Sequence, residues 1–383
     1  MQRTSAEETP TNQPTTARQK PLRVLFVTRR FPPSRGGAQT HAFKLYQYLR
    51  QRMPLTLIAL RRESILHLAW FLPWAWLRAF FLLLFRRVDI IYFADGVAAS
   101  VASGLGLVRG PAQLVCSIFG LEMTLGNRLA QGLIREGALQ CAGIAVISAN
   151  SRRIAVDCGL PDERIRLIYV GVEPVELSAD RLTEMRRSLE SELSVRFGGD
   201  RLIVNVGRQV RRKGIADFIK HGVARLEGVR LIVVGTGPMA AEILAARDRL
   251  PDPDQVIILG SVDDDTCSAL RTLCDLFVMP NVPTPGDVEG YGIAPLEAMY
   301  NRTPVVSFAV DALVEAVREG GWLIESGDYE GFAESVRRFY DQPEERRLQE
   351  GEDARAYVLR EYGWDTSASR YEALFRAVHL NDT

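Results

Sequence analysis

Two series of short apolar runs, mostly separated by segments of helical length, constrain the fold of this chain more than any other feature. The first series comprises residues 22–28, 55–60, 89–94, 112–119, 143–148 and 165–172, and the second comprises 202–207, 230–235, 255–260, 276–280, 303–308 and 321–325. Strands buried on both faces read as continuous apolar runs, and their alternation with helices is typical of parallel sheets. The pattern therefore predicts an α/β fold with two doubly wound sheets.

The chain length supports a division into domains, because 383 residues exceed the size at which one hydrophobic core keeps growing. We predict a disordered polar tail over 1–20, a first Rossmann-like domain over 21–175 and a second over 195–362. The two domains are joined near 173–200, and the charged stretch 178–200 leads into the second series of runs. Residues 363–383 are predicted to form a C-terminal helix with Asp365 as its N-cap. Two such domains facing each other leave a cleft at the carboxyl ends of their strands, where open α/β sheets bind ligands.

Charge and rare residues exclude several classes of function. Lys plus Arg equals Asp plus Glu at 47 each, so no global field favours nucleic acid. The five cysteines form no C-x-x-C pair and the four histidines have no ligand spacing, so we expect no protein-built metal site. The first twenty residues contain no apolar run, which argues against a signal peptide and for a cytoplasmic protein.

Two segments that follow predicted strands could bind phosphate. In "GRQVRRKG" (207–214), Arg208 and Lys213 could hold a diphosphate, although a solvated basic turn would read the same way. In "FPPSRGGAQTH", Gly36 and Gly37 stand between a strand and a helix, where bare backbone can approach a phosphate. A third segment, "VVGTGP", lacks the third glycine of a dinucleotide fingerprint, so we interpret it as a turn beside a ligand.

A pair of glutamates frames a glycine-rich turn in "PNVPTPGDVEGYGIAPLEAM" (280–299). Pro295 favours a helix start nearby, which leaves Glu289 in the preceding loop and Glu297 early in the helix. Carboxylates placed there could accept hydrogen bonds from the hydroxyl groups of a ribose and a sugar. Backbone N–H groups nearby could donate to phosphates. The alternative is an acidic first turn that only complements the helix dipole.

The segment 65–85, "ILHLAWFLPWAWLRAFFLLLF", is unusually apolar for a connecting helix. Its length is close to that of a membrane span, but His67, Pro73 and Arg78 interrupt it. It could also be a buried domain helix. A third possibility is an interfacial surface formed by 65–87, with Trp70, Trp74 and Trp76 in the membrane and Arg78, Arg86 and Arg87 at the headgroups.

The order and spacing of several motifs resemble the retaining GT-B glycosyltransferases of the large family known as glycosyl transferases group 1. The motifs are "GRQVRRKG", "VVGTGP", "LGSVDDDTCSALRTLCDLFVMPN", "EGYGIAPLEAM" and "TPVVSF", with "FPPSRGGAQTHAFKLYQYL" similar to the N-terminal loop of the family. The resemblance covers about residues 22–380. It implies two Rossmann-like domains facing a central cleft, an acceptor-side N-terminal domain and a C-terminal helix that crosses back to it.

The same resemblance implies a donor site for a GDP- or UDP-sugar and no bound cofactor or metal. Arg208 and Lys213 would hold the diphosphate, Glu289 the transferred hexose and Glu297 the ribose. The remaining donor-side residues would be Gly207, Gly235, Gly237, Gly290, Tyr291, Gly292 and Ile293, with Gly36 and Gly37 reaching across from the first domain. The acceptor would be a glycan or lipid-linked molecule in cell-surface polysaccharide or glycolipid synthesis, at the inner face of the cytoplasmic membrane.

One departure from the family pattern bears on activity. Many members carry a histidine that contacts the donor sugar where this chain has Phe119 and Leu121, and Glu122 is the only ionisable group nearby. Phe119, Glu122 and His41 are predicted to lie on the acceptor or sugar side of the site, although His41 is expected on the surface of the first helix. A catalytically impaired nucleotide-sugar-binding protein is therefore the second function class. A nicotinamide-dependent oxidoreductase would need a full G-x-G-x-x-G, which the chain lacks, and a sugar-nucleotide epimerase stays open.

Overall fold

Two parallel sheets of six strands each form the centre of the protein, as the apolar runs predict. The fold comes from a computed structural model that describes residues 21–33, 37–61, 65–108, 110–124, 127–285, 287 and 289–380. The predicted tail over 1–20 and the last three residues lie outside this range. Every predicted run coincides with one strand, so the predicted fold class is confirmed.

The first sheet has the strand order β2-β1-β3-β4-β5-β6, and its helices cover both faces. Its strands are β1 Val24–Thr28, β2 Leu55–Ala59, β3 Ile90–Phe93, β4 Gln113–Ile118, β5 Gly143–Val146 and β6 Ile165–Leu167. Its helices are α1 Gly37–Arg50, α2 Leu68–Leu84, α3 Gly96–Ala99, α4 Arg128–Leu139 and α5 Ala149–Asp157. Helices α2, α4 and α5 share one core, and α1 lies in the core on the other face.

The second sheet has the order β12-β11-β10-β7-β8-β9. Its strands are β7 Arg201–Val206, β8 Val229–Val234, β9 Val256–Gly260, β10 Leu276–Met279, β11 Val305–Phe308 and β12 Gly321–Ile324. The remaining helices are α6 Ala179–Leu193, α7 Ile215–His221, α8 Ala240–Arg247, α9 Asp264–Leu273, α10 Ile293–Tyr300, α11 Leu313–Val317, α12 Tyr329–Tyr340, α13 Glu344–Tyr362 and α14 Trp364–Leu380.

The link between the two halves contains a helix for which no prediction was made, and it shortens one predicted strand. Most of the charged stretch 178–200 is the helix α6, which begins after the N-cap Ser178 and packs against α9. The predicted strand 165–172 ends at Leu167, because the backbone beyond it bonds to other elements. The carbonyl of Val170 accepts the Tyr291 hydroxyl at 2.8 Å, and the Val172 N–H donates to the Tyr362 carbonyl at 2.7 Å.

The C-terminal helix α14 returns to the first half, as predicted, and packs beside α1. Inside this contact the Ser117 hydroxyl lies 2.8 Å from the Tyr371 hydroxyl, and both groups are buried. At the rim, Arg52 forms ion pairs with Asp365 and Glu372. Asp365 is the second residue of the helix rather than its N-cap, because α14 begins at Trp364.

The apolar segment 65–85 mainly forms α2, with one side in the core of the first half. Among the described residues, no helix combines the length and the apolar character needed to cross a membrane. Trp76 differs from our expectation, because its indole N–H donates to the Ser103 carbonyl at 3.0 Å and its ring stacks on Phe80. Trp76 therefore packs toward the protein, and the proposed membrane contact does not include it.

Candidate active site

The predicted basic turn and the first predicted glutamate meet in the structure. Lys213 ends a 3₁₀ turn between β7 and α7, and its Nζ lies 2.7 Å from the Oε2 of Glu289. Both side chains are largely buried, with 7% of Lys213 and 11% of Glu289 exposed. The two residues are 76 positions apart in the chain, so folding of the second sheet is what brings them together.

Further polar groups surround the Glu289 carboxylate. Arg212 approaches it at 3.4 Å and also pairs with Asp287, while Asn281 donates to it at 3.1 Å. Burial alone would raise the pKa of Glu289, but the charges of Lys213 and then Arg212 outweigh burial and place that pKa below its ordinary value. Glu289 is thus held ionised next to two cations.

The second predicted glutamate belongs to a separate ion pair. Glu297 lies on the fifth residue of α10, and its carboxylate is 2.7 Å from the Nη2 of Arg271 on α9. Burial raises the pKa of Glu297, and Arg271 offsets only part of that effect. The Arg271 partner was not predicted from the sequence.

Arg208 has no such partner. Its side chain is exposed, and within the described ranges it forms no hydrogen bond or ion pair. An exposed, unpaired guanidinium on the same loop as Lys213 is available to an anion. Its role in donor binding stays a prediction.

The glycines after β7 and β8 have a packing role that the sequence did not indicate. A Cβ on Gly235 would lie 2.0 Å from the Gly207 carbonyl oxygen, and one on Gly237 would lie 2.1 Å from the Gln209 carbonyl oxygen. The two loops therefore pack directly against each other. Contact of these glycines with a donor stays a prediction.

The turn before α10 contains one residue that lines the cleft and one that contacts the other domain. Gly290 lines the cavity between the halves, whereas the Tyr291 hydroxyl is committed to Val170. Gly292 has a φ of 74° at the start of α10, and Ile293 is half exposed. Of the predicted donor residues in this turn, Tyr291 is the one with a clear contact between the domains.

The structure describes some of the residues that were predicted to face the cleft from the first domain. Gly36 lies outside the described residues, and Gly37 begins α1 with open space around it. Phe119 packs edge-on against His41, with ring centroids 5.3 Å apart. Leu121 begins a 3₁₀ turn, and its side chain is outside the description.

His41 is buried, so its predicted place on the helix surface is wrong. Only 2% of it is exposed, because α1 turns it toward Phe119 and Trp364. Neither ring nitrogen has a hydrogen-bond partner among the described residues. Burial lowers the pKa of His41 from 6.5 to about 4.

This burial predicts a pH-dependent loss of stability. Between pH 6.5 and pH 4 the unfolded chain binds a proton at His41 that the folded chain excludes, so the free energy of unfolding falls as the pH falls. The loss reaches about 3 kcal/mol. Urea unfolding at pH 7 and pH 4 should show that His41→Gln removes this part of the pH dependence. The exposed His221→Gln is the control, and an equal pH dependence in all three proteins would contradict the prediction.

A charged cluster lies at the carboxyl ends of β1, β3 and β4. The buried Glu122 carboxylate accepts the backbone N–H of Phe119 at 2.7 Å, and burial raises its pKa. Asp95 caps α3 and pairs with Arg29 at 2.9 Å, and Arg30 lies half-buried beside it. Glu122 thus stabilises its own loop, and an acceptor contact for it stays a prediction.

A cavity of about 780 Å³ lies between the two halves and includes Glu289 in its wall. From the second half, the Glu315 carboxylate accepts the Ala149 N–H at 3.0 Å and the Tyr169 hydroxyl at 2.7 Å. Asp311 accepts the backbone N–H of Glu289 at 3.0 Å. These two acidic residues hold the cleft and the Glu289 loop in position. Neither residue was predicted from the sequence, and nor were Arg212, Arg271 and Asn281.

Among the described residues, no group of three or more His, Cys, Asp or Glu side chains is placed to hold a metal ion. The Glu289 carboxylate lies next to Lys213 and Arg212 at the edge of a cleft between two parallel sheets. This arrangement suits a ligand that carries both phosphates and hydroxyls.

Comparison with known families identifies this architecture. The model of Glycosyltransferase Family 4 matches residues 35–176, and the model of Glycosyl transferases group 1 matches residues 188–356. The chain thus carries a Glycosyltransferase Family 4 domain followed by a Glycosyl transferases group 1 domain. The predicted family is thereby confirmed.

Two relatives show the range of sequence similarity within this glycosyltransferase family. A glycosyltransferase of Methanocaldococcus jannaschii is 28% identical over 188 residues, which is 48% of this chain and 47% of that protein. The GDP-mannose-dependent alpha-(1-6)-phosphatidylinositol monomannoside mannosyltransferase of Mycobacterium tuberculosis is 23% identical over 385 residues, or 92% of this chain and 98% of that protein. The first match thus spans about half of its relative.

A solved glycosyltransferase structure shows the same fold. HepE of Anabaena, in complex with UDP, superposes with a TM-score of 0.65 at 19% identity, over 93% of this chain and 100% of that chain. The predicted GT-B fold of two Rossmann-like domains is thereby confirmed for this chain.

Proposed function

We propose that this glycosyltransferase moves a hexose of the mannose or glucose type from a GDP- or UDP-sugar to a glycan or lipid-linked acceptor in cell-surface polysaccharide or glycolipid synthesis. The observation that carries the proposal is the buried pair of Lys213 and Glu289 at 2.7 Å on the edge of the cleft. The mycobacterial relative, a GDP-mannose-dependent mannosyltransferase, and the UDP complex of HepE support a nucleotide-linked donor.

Each group has a proposed role in binding the donor. Lys213 breaks its ion pair with Glu289 and binds the diphosphate instead. Together with Arg208 it stabilises the negative charge on the departing diphosphate. Once released from Lys213, the Glu289 carboxylate accepts hydrogen bonds from hydroxyl groups of the hexose. Glu297 accepts hydroxyls of the ribose, for which it must loosen its contact with Arg271.

We further propose a metal-independent transfer with retention of configuration. The acceptor hydroxyl oxygen forms a bond to the anomeric carbon on the face from which the diphosphate leaves, the bond from that carbon to the phosphate oxygen breaks, and a phosphate oxygen takes the hydroxyl proton. The two cations would supply the electrostatic clamp. Activity unchanged by EDTA and an NMR spectrum of the product's anomeric proton test these two points.

Nucleotide binding is the first measurement. We expect one nucleoside diphosphate, among UDP, GDP and ADP, to raise the melting temperature, and NAD to leave it unchanged. At a hundred times its dissociation constant, the ligand adds about 2.7 kcal/mol to the folded state, which is roughly 5–10 °C for a domain of this size.

Variants connect the shift to the proposed site. Arg208→Ala and Glu297→Ala should abolish most of the shift, whereas Arg338→Ala, an exposed arginine on α12, should keep it. The absence of a shift with every nucleotide would contradict the proposed function.

A second candidate is a nucleotide-sugar-binding protein with impaired catalysis. Phe119 favours it, because an aromatic ring packed on His41 offers no polar contact to a sugar. Tight donor binding with neither transfer nor release of free nucleoside diphosphate would select this candidate.

The proposed location is the inner face of the cytoplasmic membrane, with a peripheral contact through 65–87. Support comes from the exposed side chains Trp70, Trp74 and Arg78 on α2. An acceptor that is linked to a lipid would require the active site to work close to this surface.

A further inference from the structure

Helix α2 is apolar on two opposite faces, and only one of them is covered. Its inner face packs into the core through Phe71, Ala75, Ala79 and Leu83, which recur at every fourth position. Its outer face carries a second stripe at intervals of three and four, formed by the exposed side chains Trp70, Trp74, Leu77, Phe81, Leu84 and Phe85. A contiguous apolar surface of this kind marks an interaction site.

The charge around this outer stripe has one sign. Residues 65–87 contain three arginines, Arg78, Arg86 and Arg87, and neither aspartate nor glutamate. Arg78 lies over the Trp74 ring, with its guanidinium carbon 5.6 Å from the ring centroid. Tryptophan beside arginine on an apolar helix face is the composition of interfacial membrane helices.

A groove of about 430 Å³ runs along the same face. Its walls are Trp74, Leu77, Phe81, Leu82 and Phe85, and both Arg78 and Arg87 line it. Apolar walls with two guanidinium groups match the chemistry of one phospholipid, which has an acyl chain and a phosphate.

The start of α4 also carries exposed apolar side chains. Leu129 and Leu133, one helical turn apart, are 82% and 59% exposed. Helices α2 and α4 cover the same face of the first sheet, and both pack against the turn Ser100–Ala102. The exposed leucines thus belong to the same layer as the stripe.

We propose that this surface docks on an anionic lipid bilayer and that its groove binds one anionic phospholipid. The phosphate lies between Arg78 and Arg87, and an acyl chain lies along Phe81 and Phe85. A second copy of the chain fits less well, because a twofold contact would place the arginines of one stripe against those of the other, whereas an anionic leaflet neutralises them. This inference rests on the proposed function, because a lipid-linked acceptor would give the enzyme a reason to bind the membrane.

Flotation of the purified full chain with vesicles tests the proposal. We expect binding to phosphatidylcholine vesicles that contain phosphatidylglycerol, and little binding to phosphatidylcholine alone. Arg78→Gln with Arg87→Gln should weaken the binding roughly thirty-fold, because each basic residue near an anionic surface contributes about a factor of five. Trp74→Gln with Phe81→Gln should abolish it. The matched control is Arg338→Gln with Leu348→Gln, two exposed side chains on the second domain.

A second readout reports the groove itself. Phosphatidylglycerol with brominated acyl chains should quench tryptophan fluorescence, and Trp70→Phe with Trp74→Phe should remove the quenching while the protein still floats. Donor binding, measured by melting temperature without lipid, should be unchanged in all variants. If the unaltered chain failed to bind any nucleotide donor, this would contradict the proposed function and would leave the lipid site unaffected.

Three outcomes would overturn the proposal. One is a failure of the unaltered chain to float with anionic vesicles. Another is equal binding by the arginine variant and its control. The third is a concentration-dependent dimer that the Trp74→Gln, Phe81→Gln variant abolishes, since this would make the stripe a contact between two copies.

Discussion

Lys213→Ala is expected to lower the rate of sugar transfer at limiting substrate by about 10²–10³-fold. Removing one preorganised group that stabilises transition-state charge typically costs about 2.7–4 kcal/mol. The nucleoside diphosphate should also bind about ten- to a hundredfold more weakly, as expected for the loss of one charge-assisted hydrogen bond. Folding should survive, because Glu289 keeps Arg212 and Asn281 as partners. Steady-state kinetics and titration calorimetry measure the two effects.

Glu289→Gln is the informative comparison for this prediction. In the free protein Glu289 holds Lys213 at 2.7 Å, so its neutralisation should leave nucleoside diphosphate affinity unchanged or higher, while transfer falls. Lys220→Ala, on the exposed side of α7, is the control for loss of a lysine charge. Equal activity of Lys213→Ala and Lys220→Ala would exclude Lys213 from the site.

The sheets were predictable because buried parallel strands leave a local trace in the sequence. The run 276–280 is apolar over its whole length, and 202–207 is apolar apart from Asn205 before it ends at a glycine, so each run alone indicates a strand. Helix α6 left no such trace, since it is highly charged and buries only Leu189 and Leu193. The overextended strand 165–172 shows the opposite error, because an apolar run also forms where the chain crosses between domains.

The contacts of the site were less predictable, because they join residues that are far apart in the chain. The motif spacing indicated Lys213 and Glu289 through a family resemblance, but it carried no sign of their direct pairing. Arg271 looks like any helix residue, and Glu315 resembles a surface glutamate until Ala149 and Tyr169 are placed beside it. His41 was misplaced for the same reason, since its burial depends on Trp364 from the far end of the chain.

Gly214→Ala is expected to destabilise the second domain by more than about 3 kcal/mol and to abolish donor binding. The φ of Gly214 is 66°, which costs an alanine about 1–2 kcal/mol. In addition, the new Cβ would lie 2.0 Å from the Pro280 carbonyl oxygen, so the backbone must move. The movement would separate Lys213 from Asn281, and the Glu289 carboxylate bonds to both.

Gly228→Ala separates the two contributions. Gly228 has nearly the same φ, 68°, but a Cβ there meets nothing within 4 Å. It should therefore cost only the backbone part, about 1–2 kcal/mol, and leave nucleotide binding intact. Urea unfolding and the nucleotide-dependent melting shift measure both variants. Equal destabilisation by the two substitutions would mean that the loop at Pro280 moves aside at little cost in free energy. The close packing of that loop on the basic turn would then not be the cause of the contact between Lys213 and Glu289.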